Sequence, residues 1–165
     1  YSGKFMKIQL AFLSSVLLLT ACATPNSLKV VTKGPLICET NEVCPELAMR
    51  WNEEKRDGFK ITADIKNTEQ YNIQQFVFNV DGQPYAYSTI AATENSTLEN
   101  GTKLSSNYII VPVSFLNSFR SGKEISLKLI TDKGDIERPI LKADGQQSSA
   151  YLTFIKGYSQ HITQP

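Results

Sequence analysis

Histidine is almost missing from this chain, with one copy, His161, in 165 residues, and cysteine occurs three times. A zinc site wants four ligands, commonly closely spaced Cys and His, so no metal centre is expected. Charge of one sign is missing too. The chain holds 17 basic and 16 acidic side chains with no basic cluster, which argues against a nucleic-acid partner. The G-x-S-x-G elbow and the phosphate-cradling glycine loop do not occur, so no catalytic residue and no cofactor is assigned. Glu53-Glu54 and Asp132/Asp135 read as solvated loops rather than a cleft pair. A carboxylate-dependent hydrolase stays open as an alternative, because such acid-base pairs need no linear motif. Internal repeats and low-complexity tracts are absent, and the longest apolar run falls short of the roughly 20 residues that span a bilayer.

That run is the first positive signal. Met6-Lys7 supplies a start and a positive end, and Ile8 to Leu19 is apolar apart from Gln9, Ser14 and Ser15. The polar Thr24-Pro25-Asn26-Ser27 follows, completing the three-part layout of a signal peptide. Tyr1 to Phe5 precede the plausible initiator and carry no structural weight. Between the apolar run and the polar stretch stands Leu19-Thr20-Ala21-Cys22.

This tetrapeptide resembles the lipobox of bacterial lipoproteins. The resemblance implies cleavage between Ala21 and Cys22, a diacylglycerol on the Cys22 thiol and acylation of the new amine. Two or more acyl chains anchor a protein stably where one does not, so the implied partner is a membrane, reached through Cys22. In that family an Asp directly after the cysteine usually retains the protein in the inner membrane. Here the position is Ala23, which implies the outer membrane, with the domain facing the periplasm or the cell surface. The implied division is a leader over 1–21, a lipidated tether over 22–27, one β-rich domain over 28–160 and a tail over 161–165. Loss of Lys4 and Lys7 with the leader leaves the basic side chains one short of the acidic ones.

With Cys22 assigned to lipid, Cys38 and Cys44 remain as an even pair in a compartment where disulfides persist. A structural disulfide is expected. The competing redox centre would more typically read C-x-x-C.

Along the domain, Leu28 to Lys33 is β-prone and halted by Gly34-Pro35. Leu47, Met49 and Trp51 recur at period two, and Phe59 to Ile65 alternates almost perfectly, the mark of a strand with one wet face. The two form a predicted hairpin, although Pro45 to Lys55 also suits a helix. Gln75 to Val80 turns at Asp81-Gly82 into Pro84 to Ser88, a second hairpin. Its Phe76, Phe78, Tyr85 and Tyr87 read as cross-strand pairs and core, with a sugar platform as the lesser reading. Thr93 to Asn107 is polar, with Leu98 and Leu104 its only large apolar residues. It reads as a long loop, either mobile or a contact surface built on those two leucines.

Tyr108 to Val111 is uniformly apolar and predicts a strand buried on both faces, ended by Pro112. Ser114 is the expected cap of a short helix near 114–121. Glu124 to Thr131 alternates with Ile125, Leu127 and Leu129 inward, turns, and returns through Pro139, which suits an edge. A last helix is expected near 145–156, capped by Asp144 with Gln147 and stopped by Gly157.

The fold class is therefore mainly β with minor α: one antiparallel sandwich or curved sheet of about seven strands, with those two helices. The function expected is non-catalytic, an interaction or envelope-accessory domain with a possible protein partner. Small disulfide-bearing lipoproteins also include inhibitors of enzymes such as lysozyme. Their Ser-Gly loop followed by tyrosine is not matched here, since Ser121-Gly122 leads into Lys123-Glu124-Ile125.

Overall fold

Alternating apolar and polar side chains put most of the domain into strands, since a strand with one wet face buries every second residue. The computed structural model describes residues 29–52 and 56–160. The leader, Cys22, the 22–27 tether, Glu53-Glu54, His161 and the 161–165 tail lie outside the described residues. Among those described are nine strands and two helices. In chain order they are β1 (Lys29–Pro35), β2 (Glu46–Asn52), β3 (Phe59–Asn67), β4 (Ile73–Val80), β5 (Gln83–Ser88), β6 (Glu94–Thr97), β7 (Lys103–Val111), α1 (Val113–Ser121), β8 (Ile125–Thr131), β9 (Gly134–Leu141) and α2 (Ser149–Gln160). Pairing is antiparallel throughout. One sheet has the order β1-β2-β3-β7-β6 and the other β5-β4-β8-β9, which makes a sandwich and not a single curved sheet.

The core lies between the sheets. Leu47, Met49, Trp51, Phe59, Ile61 and Ile65 face Phe76, Phe78, Leu127 and Leu129, and all are buried. Helix α1 carries the chain from β7 to β8 and contributes Phe115, Leu116 and Phe119 to this core. Aromatic contacts link the layers: Phe119 lies 5.9 Å from Phe115 and 5.7 Å from Phe154 of α2, and Phe154 meets Trp51 edge-on at 5.8 Å. Tyr85 and Tyr87 belong to this series. Their rings lie 5.3 and 5.4 Å from Phe115, so these half-buried tyrosines pack on α1 as cross-layer core, the favoured reading of the hairpin.

The chain just beyond β1 is tied to the edge of the opposite sheet. The amide of Ile37, just beyond β1, donates to the Pro139 carbonyl of β9 at 3.0 Å. Arg138 donates to the Val43 carbonyl at 3.1 Å and pairs with Glu42 at 3.2 Å. Cys38 and Cys44 are bonded beside this seam, with Cα atoms 5.8 Å apart. Helix α2 lies across β1 so closely that a Cβ on Gly34 would come within 2.7 Å of the Ala150 nitrogen. Glycine is required there for contact.

Several sequence expectations are corrected. The mainly β sandwich with two helices holds, with nine strands among the described residues against the approximate seven expected. The 93–107 segment is no loop: it forms β6, a turn at Gly101 (φ 82°) and the first half of β7. Its inward residues are polar and bonded. Asn107 donates to the carbonyls of Ile73 and Ala91, and Ser105 donates to Asn95 and accepts the Tyr71 amide. Gly34 and Pro35 are the last two residues of β1 and not the turn after it, which an edge strand tolerates. The predicted hairpin of Leu47 to Trp51 with Phe59 to Ile65 forms as β2 and β3, and not the alternative helix, because period-two burial of Leu47, Met49 and Trp51 outweighs local propensity. Tyr108 to Val111 is buried on one face only, leaving Ile110 48 % exposed. Helix α1 begins after Pro112, without a side-chain cap from Ser114. Helix α2 starts at Ser149, four residues late, because Asp144 accepts the Gln146 amide in a turn that pairs Leu141 with Gln147. Ser148 is the residue whose hydroxyl accepts the Tyr151 amide, and Gly157 sits within the helix.

Other expectations hold. Asp81 and Gly82 both take positive φ (51° and 85°) at the second hairpin. Ile125, Leu127 and Leu129 point inward, and Pro139 sits on edge strand β9.

Candidate functional site

The outer face of the five-stranded sheet is a broad strand surface that gathers both charges and exposed apolar groups. Strand register assigns its members. Val31, Arg50, Lys60 and Ile110 form one row across β1, β2, β3 and β7. The next row holds Lys33, Ala48, Thr62 and Tyr108. The third runs Pro35, Glu46, Asp64, Ser106 and, on β6, Glu94.

A charge network occupies the centre. Lys33 Nζ donates to Asp64 Oδ2 at 2.7 Å and lies 3.2 Å from Glu46 Oε2. Lys66 Nζ reaches Glu46 Oε1 at 3.0 Å, and the Ser106 hydroxyl donates to Asp64 Oδ1 at 2.7 Å. The hydrogen bond to Asp64 holds the Lys33 ammonium above its ordinary pKa, against the opposing pull of partial burial. Burial would raise the Glu46 carboxyl, but the ammonium groups of Lys66 and Lys33 outweigh it and hold that carboxyl below its ordinary value. The Glu46 carboxylate is thus held as an anion among cations.

Toward the end where β1 begins, the face turns basic and apolar. Lys60 Nζ sits 3.7 Å from the centre of the Tyr108 ring, a cation-π contact. A small hollow of about 70 Å³ lies beside it, between Lys60, Thr62, Glu94 and Tyr108. Next to that pair, a shallow depression of about 260 Å³ is bounded by Arg50, Gly58, Lys60 and Ile110 over Trp51. The whole arrangement can present fixed charges, hydrogen-bond donors and apolar surface to a partner.

The residues singled out from sequence are not brought together here. Cys22 lies outside the described residues. Cys38 and Cys44 form a disulfide at the β1–β9 seam. Leu98 is half-buried in the β6–β7 turn, where its carbonyl accepts the Gly101 amide, and Leu104 is a half-buried member of β7. Asp132 is exposed and accepts the Asn72 amide at 2.7 Å, so it serves a turn. Among the described residues no group of three or more His, Cys, Asp or Glu is placed to hold a metal ion, and no helix is long and apolar enough to cross a membrane. Sequence reasoning missed Lys33, Glu46, Lys60, Asp64, Lys66, Ser106 and Tyr108 as a group. The alternation of Phe59 to Ile65 marks Lys60 and Asp64 as outward, but only the strand order shows what they meet. No protein-family model, curated protein or solved structure matches this chain.

Proposed function

We propose that this chain is a lipoprotein of the bacterial outer membrane, held by acyl chains on Cys22, whose domain works by binding in the cell envelope and not by catalysis. The observation that carries the reading is Leu19-Thr20-Ala21-Cys22 closing an apolar leader behind Met6-Lys7. Ala23 in place of Asp supports the outer membrane, with the domain on its periplasmic or outer side. The charge-bearing outer face of the five-stranded sheet supports the binding half. Its paired carboxylates and ammonium groups are held in fixed geometry, which favours selectivity for a complementary protein surface over raw affinity. No observation favours the enzyme-inhibitor or hydrolase alternatives over this one.

The test has two arms. Mass analysis of the native protein should find acyl groups on Cys22, and Cys22→Ser should release it from sedimented envelopes. Crosslinking in intact cells should return a reproducible neighbour, weakened when Asp64 and Glu46 are both changed to Lys. A native chain without acyl groups, or a Cys22→Ser chain that still sediments, defeats the anchor; crosslinking without a repeatable neighbour defeats the binding role.

A further inference from the structure

We infer that the end of the five-stranded sheet where β1 begins rests on a surface of anionic phospholipid, an inference that takes the lipid on Cys22 as its starting point. Three observations lead to it.

The first is reach. Lys29, the first residue of β1, pairs with Asn52 at that end of the sheet. Seven residue steps separate Cys22 from Lys29. Fully extended they cover at most about 25 Å, at roughly 3.6 Å per residue. An acyl group on Cys22 therefore keeps this end of the domain near the headgroups.

The second is apolar surface in the right place. Val31 is 51 % exposed and Ile110 48 %, and the two flank Arg50 and Lys60 in a single row beside the point of entry. Ile110 borders the depression of about 260 Å³, which Arg50, Lys60 and the Trp51–Asn52 segment also line. Aliphatic side chains next to cations suit the boundary between phosphate and acyl chain.

The third is charge. Besides Arg50 and Lys60, the guanidinium groups of Arg56 and Arg120 sit at the same end, 4.7 and 4.5 Å from the ring centre of Tyr158, which itself packs 6.0 Å from Trp51. The connection from β2 to β3 at this end carries Glu53, Glu54 and Asp57 against Lys55 and Arg56, so the excess of cations there comes from Arg50, Lys60 and Arg120. The carboxylates of the face lie further along: Asp64 is four residues beyond Lys60 on β3, roughly 13 Å at strand spacing. The face is thus polarised, with its cations toward the tether, and lysine or arginine near an anionic leaflet is attracted to it.

The experiment uses the full acylated protein. One variant carries Ile110→Cys and another Glu99→Cys, each labelled with an environment-sensitive fluorophore. Glu99 lies beyond the far end of β7, roughly 23 Å or more from Ile110 at strand spacing. Both are reconstituted into phosphatidylcholine vesicles holding about 30 % phosphatidylglycerol and a spin-labelled lipid quencher, a composition chosen to supply an anionic surface. The Ile110→Cys label should be quenched at least about threefold more strongly than the Glu99→Cys label. That excess should disappear in pure phosphatidylcholine, or when Arg50→Glu and Lys60→Glu are introduced together, with the near-ultraviolet spectrum unchanged. Equal quenching of the two labels, or an excess indifferent to lipid charge and to the double reversal, overturns the inference. So does a label unquenched in vesicles yet shielded in intact cells, which would assign the patch to a protein. Flotation with pure phosphatidylcholine vesicles reads the anchor by itself: its loss retires the lipid on Cys22, whereas flotation with equal quenching retires only the docking.

Discussion

The two faces of the five-stranded sheet are made by the same strands and share almost nothing else. Inward, Leu47, Met49, Trp51, Phe59 and Ile61 are each at most 2 % exposed. Outward, Glu46, Arg50, Lys60, Asp64 and Lys66 stand one residue away on β2 and β3. The inner face supplies stability through burial, and the outer face supplies arranged charge. Successive residues of a strand point to opposite sides, so each face can change with little effect on the other, provided the register does not slip.

That division is open to attack, most severely from within. Trp51→Ala removes ring contacts with Phe59, Phe154 and Tyr158 and should cost about 3–5 kcal/mol, read from denaturant unfolding. A loss below about 1 kcal/mol would refute the claim that the inner face carries the fold. Gly34→Val should follow at about 2–3 kcal/mol, since its side chain would meet the backbone of Ser149 and Ala150 at 2.7 Å. An unfolding midpoint unchanged by that substitution would show that α2 is free to shift. Replacing Cys38 and Cys44 together by Ser should cost about 2 kcal/mol, near the low end for disulfides because the loop closed is short.

On the outer face the same assay should register little. Asp64→Asn loses the ion pair with Lys33 but keeps an acceptor for Ser106, and should cost no more than about 1 kcal/mol. A larger loss would blur the contrast between the faces. The smallest effect sharpens it through pH. Glu46 is held below its ordinary value, so its contribution is present above the ordinary carboxylate range and fades as pH falls through the lowered folded value. Lys33 is held above its ordinary value, so its contribution is present below that value and fades as pH rises through the raised one. Glu46→Gln should therefore melt slightly below the parent at about pH 7, and the gap should narrow as pH falls below the ordinary carboxylate range. A difference that persists in acid would mean that Glu46 acts by packing and not by charge.

The inner face could be read from sequence because burial leaves a period. Leu47, Met49 and Trp51, Phe59 to Ile65 and Ile125 to Leu129 announce their strands. The 93–107 segment did not, because β7 turns Ser105 and Asn107 inward and satisfies them with hydrogen bonds to Tyr71, Asn95, Ile73 and Ala91. Polar inward residues erase the alternation on which such reading depends. The outer face was legible only as wet. Lys33 meets Asp64 across 31 positions and Ser106 meets Asp64 across 42, and those meetings follow from strand order, which no local pattern carries. The start of α2 was misplaced for a related reason: Asp144 has the chemistry of a cap but spends it on the turn that brings Gln147 back to Leu141.

The small covalent ring at Cys38–Cys44 has a mechanical consequence. Any tension entering at Lys29 runs along β1 and loads its seven-residue ladder with β2. Rupture of that ladder could peel the strand away only as far as Cys38, because there the sulfur bridge hands the load directly to the chain leading into Glu46. The bridge thereby takes the five residues between the two sulfurs out of the load path, so no slack from that loop is released before β2 itself is pulled.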